Sequence, residues 1–131
     1  MQNYQNINTT FTTINLTLMT INEKKIVEFY TAISTCDSNK IRELYAPNVR
    51  FRDPAFGLLI GNDVTKMWKM LFANSKDKLN IVYSDITADD YIGSARWIAT
   101  YTFSKTGRKV INEIYSQFHF KDGLIIKQTD S

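Results

Sequence analysis

The sequence of 131 residues is poor in cysteine, proline and glycine and has no long apolar run. Its single cysteine, Cys36, excludes an internal disulfide and a metal site built from several cysteines. The longest apolar runs, such as Leu58–Ile60, are too short to span a bilayer, so we expect no membrane partner. Because 44% of the residues are apolar, the sequence is typical of a folded chain rather than a disordered one. We expect one cytoplasmic domain.

Charge is nearly balanced, and it is absent from the N-terminal segment. The 16 Lys and Arg residues against 13 Asp and Glu give a net charge of +3. The basic residues are scattered, so we expect no nucleic-acid partner. The uncharged, Asn- and Thr-rich start of the chain lacks the features of a signal peptide. Residues 1–21 are therefore predicted to be an extension, irregular or paired along a sheet edge, and residues 22–131 to be the domain.

Periodicity divides the domain into helices first and strands afterwards. Thr20 and Glu23 have capping-box spacing before a helical pattern that runs to about Thr35. Two more helices are predicted, one after Asp37 and one after Gly61, with a strand and a short return strand between them. The later strands are predicted at Leu79–Ala88, Ser94–Phe103, Lys109–Phe120 and Leu124–Asp130. This segregation predicts an α+β fold, with about three helices on one face of a curved antiparallel sheet.

Alternation along two of these strands indicates which sheet face is interior. In Ser94–Phe103 the interior face carries Trp97 and Tyr101. In Lys109–Phe120 we assign the face with Phe118 to the interior, which turns Asn112 and Ser116 inward. Inward polar groups need partners, so a lined cavity or a water-filled cleft is predicted. The opposite face keeps enough apolar surface to predict a homodimer through it. The residues of that outer face are Ile98, Ile111 and Tyr115.

Two stretches of the sequence resemble the nuclear transport factor 2-like superfamily. The run from Val27 through Asp53-Pro54 resembles its opening helices and first strand, and Phe118–Ile125 resembles its penultimate hairpin. The similarity covers roughly residues 22–131 and is closest to the SnoaL-like and ketosteroid-isomerase-like branch. It implies a cone in which a bent antiparallel sheet wraps around helices, with an open pocket at the wide end. It also implies a homodimer.

The resemblance further implies where catalytic groups would lie. The steroid isomerases use an Asp base, which falls on Asp53, and an oxyanion hole of a Tyr and a protonated Asp. Those two positions fall on Phe29 and Ser116, so isomerisation of 3-oxosteroids is not expected. SnoaL-type cyclases have a His and an Asp two residues apart in the closing strand. Here Gln128 replaces that His and Asp130 keeps the Asp.

Asp53 and Asp130 are the candidate catalytic residues. Pro54 holds Asp53 extended, and its apolar neighbours favour a pKa in the range of a general base. The alternative for Asp53 is a turn whose carboxylate caps backbone amides. Asp130 is the candidate second carboxylate, and two carboxylates in one pocket can divide acid and base roles. The alternative for Asp130 is a frayed chain end.

Aromatic and polar side chains are predicted to line the pocket. They are Tyr30, Trp68, Trp97, Tyr101, Asn112, Ser116, Phe118 and Gln128. The aromatic members of this set fit an ordinary core equally well. The only histidine, His119, is predicted to lie on the outer face. No second ligand accompanies it, so we expect no metal site.

Two functions remain open for the predicted cone. The first is a cofactor-free isomerase, cyclase or dehydratase that binds a small hydrophobic or polycyclic molecule and uses Asp53 as general acid/base. The second is a non-catalytic ligand-binding or protein-interaction module, favoured by the missing oxyanion groups. Glycine-rich phosphate loops and nucleophile elbows are absent, so we expect no nucleotide cofactor. A buried Asp53 with a second polar group nearby would indicate the enzyme, whereas an Asp53 held by backbone amides would indicate the module.

Overall fold

The fold is taken from a computed structural model that describes residues 5–6 and 18–131, with only the backbone described for residues 5–6 and 76–78. Seven strands and three helices make up this part of the chain. They are β1 (Gln5–Asn6), α1 (Ile21–Ser34), α2 (Ser38–Leu44), β2 (Tyr45–Asp53), β3 (Gly57–Ile60), α3 (Asn62–Asn74), β4 (Ser75–Ala88), β5 (Ile92–Phe103), β6 (Arg108–Lys121) and β7 (Leu124–Asp130).

The strands form one curved, open sheet in the order β1-β4-β5-β6-β7-β2-β3. Neighbouring strands are antiparallel except for β2 and β7, which run parallel, so the sheet is mixed at that pair. Helix α1 packs on β4 and β5, and α3 packs on β2, β3 and β4. The predicted α+β cone is confirmed.

Helix α1 begins where the capping-box spacing predicts it. The Thr20 hydroxyl accepts a hydrogen bond from the Glu23 amide at 3.1 Å, and the Glu23 carboxylate accepts one from the Thr20 amide at 2.7 Å. Its buried face presents Ile26, Phe29 and Ile33 to the sheet. The Phe29 ring lies at the centre of this core. Its centroid is 5.5–5.8 Å from those of Tyr30, Tyr45, Trp68 and Phe118.

Strand β4 begins four residues earlier than predicted, at Ser75 rather than Leu79. Helix α3 passes directly into β4, because Ser75 is both the C-cap of the helix and the first residue of the strand. Asn74, Ser75 and Asp77 are residues typical of turns, so the sequence places the start of the strand after them. The interior face of β5 is confirmed, since Trp97 and its inward neighbours are buried. His119 is exposed on the outer face, as predicted.

The predicted extension, residues 1–21, lies largely outside the described residues. Its described part includes β1, which pairs with β4 at the sheet edge, with Gln5 opposite Tyr83. None of the described helices is long and apolar enough to cross a membrane.

Candidate functional site

A cavity of about 480 Å³ opens between the helices and the concave side of the sheet. That volume is within the range of sites for small organic ligands. Its wall is formed mainly by side chains from β2, α3, β4, β5 and β6, with the end of β7. Six of the predicted site residues line it. They are Asp53, Trp68, Trp97, Tyr101, Asn112 and Asp130.

Four residues predicted for the pocket lie behind its wall instead. Ser116 and Gln128 are fully buried and reach the cavity only through the side chain of Asp130. Phe118 packs into the aromatic core against Phe29 of α1, with ring centroids 5.8 Å apart. Tyr30 is also part of that core. Strand phase predicts the inward direction of Ser116 and Phe118 correctly but not their depth.

Asp130 is buried, and two side chains donate hydrogen bonds to one of its oxygens. Its side chain is 8% exposed. Ser116 Oγ donates to Oδ1 at 2.6 Å, and Gln128 Nε2 donates to the same oxygen at 3.1 Å. Oδ2 is therefore the oxygen available to a molecule in the cavity that Asp130 lines. The alternative of a frayed end does not describe this residue, since it pairs with Ser116 in the sheet.

The direction of the hydrogen bond between Ser116 and Asp130 is set by a tryptophan side chain that donates to Ser116. Trp97 Nε1 donates to Ser116 Oγ at 2.8 Å. An indole N–H is a donor only, so the hydroxyl accepts this bond and directs its own hydrogen to Asp130.

Gln128 is oriented in the same way from the other side. Trp68 Nε1 donates to the Tyr45 hydroxyl at 3.1 Å, and Tyr45 donates to Gln128 Oε1 at 2.7 Å. With Oε1 accepting that bond, Nε2 is the end of the amide that points to Asp130. Both chains thus bring a donor to Oδ1, so a proton bound by Asp130 resides on Oδ2, facing the cavity.

Burial raises the pKa of Asp130 to about 6. The hydrogen bonds from Ser116 and Gln128 oppose that effect, and the charge of Asp53 adds to it. A carboxyl group with this pKa exchanges its proton near neutral pH, which suits general acid/base work.

A bulge in β7 turns Asp130 inward. Leu124 pairs with Lys121 and Ile125 with Phe120, but the register then shifts by one residue, so that Lys127 lies opposite His119. The burial phase changes at the same point. Before the bulge Ile125 is buried, and after it Gln128 and Asp130 are buried. One extra residue therefore reverses the face on which the end of the strand presents its side chains.

Asp53 ends β2, where Pro54 begins the turn into β3. Its Oδ1 accepts a hydrogen bond from the Phe56 amide at 2.5 Å, which is the backbone capping considered as the alternative for this residue. The side chain is half-buried and lines the cavity. Its charge contributes to the raised pKa of Asp130. The deep burial expected of a general base is found at Asp130 rather than at Asp53.

The Tyr30 hydroxyl is fully buried behind the same wall. Its ring stacks on Tyr83 with centroids 5.8 Å apart and lies 5.4 Å from Trp97. Burial first, and then the charge of Asp130, hold the pKa of Tyr30 well above its ordinary range, while nearby Ser116 moderates the shift. Even so, the hydroxyl makes no hydrogen bond of ordinary geometry among the described residues. Tyr30 is therefore a neutral phenol at physiological pH.

The family follows from a match over most of the domain. The profile of the SnoaL-like domain family matches residues 26–128. The chain belongs to the SnoaL-like domain family. No curated protein matches it significantly.

Solved structures share the fold of this SnoaL-like chain at low sequence identity. A nuclear transport factor 2-like protein from Anabaena variabilis is 13% identical, with a TM-score of 0.74 over 95% of this chain and 93% of that one. A candidate polyketide cyclase from Pseudomonas putida is 15% identical, with a TM-score of 0.73 over 86% and 91%. A protein from Catenulispora acidiphila with a ketosteroid isomerase-like fold, solved with trimethylamine, is 11% identical, with a TM-score of 0.71 over 82% and 84%.

Some residues of this SnoaL-like site are not predicted from the sequence. Tyr45 is not among the predicted site residues, but it begins β2, and its hydroxyl orients Gln128. A buried tyrosine needs a partner for its hydroxyl, and this is the signal that could have found it. Phe51 and Phe72 also line the cavity. Their strand and helix periodicities predict burial, which does not distinguish a cavity wall from a filled core.

Proposed function

We propose that this SnoaL-like protein binds a small hydrophobic molecule in the cavity and moves a proton on it without a cofactor. The reaction class is isomerisation, cyclisation or dehydration, with Asp130 as the general acid/base. The environment of Asp130 carries this proposal. A carboxyl group with a pKa of about 6 lines the cavity, its Oδ1 held by Ser116 and Gln128.

Each group of the site has a separate part in the proposed reaction. Oδ2 of ionised Asp130 removes a proton from an acidic C–H or O–H group of the ligand. The same oxygen then returns the proton to another atom of the ligand. The Trp97–Ser116 and Trp68–Tyr45–Gln128 chains hold Oδ1, so the proton has one place to bind. Asn112, which also lines the cavity, is the proposed donor to a carbonyl or hydroxyl oxygen of the ligand.

A non-catalytic ligand-binding module is the second candidate function. The contact that favours it is the bond from the Phe56 amide to Asp53, because one oxygen of that carboxylate is engaged with the backbone. In such a module the cavity would bind its ligand, and the acidic wall would contribute to selectivity alone.

Deuterium exchange separates the two functions. Small aromatic and polycyclic ketones are screened for binding by thermal shift, and those that bind are incubated in D₂O. An enzyme of the proposed class catalyses exchange of the acidic C–H, which proton NMR detects. Asp130→Asn is expected to bind these ketones with at most a few-fold change in affinity and to lose about 10²–10⁴-fold in exchange rate. Asp53→Asn, whose side-chain oxygen can still cap the turn, is the matched control and is expected to lose less.

Equal exchange by wild type and Asp130→Asn would remove Asp130 from the mechanism. Binding without any exchange in either protein would favour the module.

We also propose that the protein is a homodimer formed through the outer face of the sheet. Ile111 is 62% exposed there, and Ile98 and Tyr115 lie beside it. Ile111 is opposite Thr100 and Tyr115 is opposite Arg96, so Ile98 is a diagonal neighbour of both Ile111 and Tyr115 on this face. Exposed apolar residues grouped in this way are typical of an interface.

A further inference from the structure

The cavity wall combines negative charge with aromatic rings. Two charged side chains of the described lining lie on the inward side, those of Asp53 and Asp130, and both are acidic. Glu113 also belongs to the lining, but strand alternation places its side chain on the outer face with Ile98 and Ile111. No lysine, arginine or histidine belongs to the described lining, although the chain as a whole has a net charge of +3. The wall is therefore much more negative than the composition of the protein suggests.

The basic residues closest in sequence to Asp53 do not neutralise this wall. Arg50 and Arg52 alternate with the inward residues of β2, and both are exposed. The ion pairs that the structure shows in its described part are Lys40 with Glu43, Lys66 with Asp63 and Arg96 with Asp85. Neither carboxylate of the cavity takes part in them.

Burial makes the charge on Asp130 sensitive to the ligand. Only 8% of its surface is exposed, and both of its hydrogen bonds are to Oδ1. Asp53 on the same wall is half-buried and adds like charge. A neutral ligand would displace water from both carboxylates and would strengthen their repulsion. An ammonium group beside these carboxylates would donate a hydrogen bond and supply the opposite charge, whereas an anion would add a third like charge.

The aromatic part of the wall suits the same kind of ligand. Trp68, Trp97 and Tyr101 line the cavity, and the two indole N–H groups are already bonded to Tyr45 and Ser116. The rings thus offer faces and edges to the ligand rather than donors. The face of an indole or phenol ring attracts an organic cation, most strongly when water is excluded.

We propose that the cavity selects a small hydrophobic amine, bound as its ammonium cation next to Asp130, over neutral and anionic molecules of the same size. This assignment rests on the proposed function, because it names the ligand class of the same cavity. The ammonium group lies beside the carboxylates of Asp53 and Asp130, and the hydrophobic part lies between Trp68, Trp97 and Tyr101.

Three matched probes test the charge preference. 2-Phenylethylamine, 2-phenylethanol and phenylacetate have the same ring and nearly the same length, and at pH 7.5 they are cationic, neutral and anionic. Their dissociation constants are measured by calorimetry or by NMR titration. The amine is expected to bind about tenfold more tightly than the alcohol, and phenylacetate more weakly than either.

The pH dependence and a variant identify the carboxylate responsible. At about pH 5 Asp130 is largely protonated, so the preference for the amine is expected to fall to about threefold or less. Asp130→Asn is expected to show the same reduction already at pH 7.5, and Asp53→Asn a smaller one. The wild-type pH series provides the test even if the Asp130 variant folds poorly.

Other results would overturn the amine proposal. It fails if the alcohol or the acid binds as tightly as the amine, if the preference persists at low pH, or if none of the three probes binds at millimolar concentration. The proposed function is judged separately, since neutral ketones that undergo Asp130-dependent exchange would support it even after the amine proposal had failed.

Discussion

The two oxygens of Asp130 have different environments, and the difference results from residues that do not touch the cavity. Ser116 and Gln128 both donate to Oδ1, while Oδ2 remains on the cavity side. Behind the two donors stand Trp97 and Tyr45, which set the direction of each hydrogen bond. The same side chains that orient the carboxylate also partly offset the cost of burying it.

The free-energy cost of burying ionised Asp130 predicts how the stability of the protein depends on pH. The pKa of Asp130 is about 6 in the folded protein against an ordinary value of 3.8, so the folded state binds the proton more tightly. Its contribution to stability is therefore greatest below about pH 4, decreases as the pH rises to about 6, and is constant above that. The whole change is about 3 kcal/mol, of which about 1.5 kcal/mol falls between pH 5 and pH 7.5.

Urea unfolding of wild type and Asp130→Asn at these two pH values measures this contribution. We expect the free energy of unfolding of wild type, relative to the variant, to be about 1.5 kcal/mol greater at pH 5 than at pH 7.5. Asn is the suitable replacement because its oxygen can still accept the bonds from Ser116 and Gln128. The other titrating groups are common to both proteins, so their effects cancel. A constant difference between the two proteins would show that Asp130 does not titrate in this range.

At the level of elements, strand β5 approaches α1 so closely that one position admits only glycine. A Cβ atom at Gly93 would lie 2.9 Å from Ile26 Cδ1, 3.0 Å from Ala88 Cβ and 3.2 Å from Phe120 Cε2. Its φ is not in the left-handed region, so close packing rather than backbone conformation requires glycine here. Gly93 lies at the start of β5, opposite Phe118 of β6, and α1 packs closely on the sheet there.

Gly93→Ala is therefore expected to destabilise the fold by about 1–3 kcal/mol, because Ile26 and Phe120 must move to admit the methyl group. The lower entropy of the unfolded alanine chain offsets only part of this. Ser94→Ala is the control, because Ser94 is the next residue and its side chain lies on the opposite face of the strand. This variant should change stability by less than about 0.5 kcal/mol. Both are measured by urea unfolding at neutral pH. A stability for Gly93→Ala equal to that of wild type would show that the interface has free space.

Elements with strong local signals could be predicted from the sequence, and those set by contacts distant in sequence could not. The capping residues of α1 and the Asp122-Gly123 turn act locally, and both residues of that turn have positive φ, as a tight two-residue hairpin requires. The bulge after Ile125 has no such signal. It depends on how β7 pairs with β6, so the inward direction of Asp130, and with it the buried end of the candidate site, could not be read from alternation.

For the whole molecule, the cone has two faces with separate roles. The concave face holds the helices and the cavity, and the outer face of β5 and β6 has no covering element in the described chain. On that outer face the Arg96 guanidinium lies 5.2 Å from the centroid of the Tyr115 ring, which holds Tyr115 beside Ile98. A dimer formed there would leave the cavities of both subunits accessible, because they open on the opposite side of the sheet.

The apolar outer face predicts a dimer, and a charged substitution on that face should weaken it. Wild type is expected to sediment as a dimer at about 100 μM, because dimerisation would bury the exposed apolar side chains of the outer face, such as Ile111. Ile111→Lys places a charge on this face and is expected to raise the dimer dissociation constant by at least about tenfold, because that charge would lose its hydration between the subunits. Met70→Lys, an equally drastic change at an exposed position on α3, should leave the dimer intact. Sedimentation velocity over a concentration series measures all three proteins. If Ile111→Lys and wild type dissociate alike while both still bind the cavity ligand, the subunits meet elsewhere or the protein acts as a monomer, and the apolar outer face needs another partner.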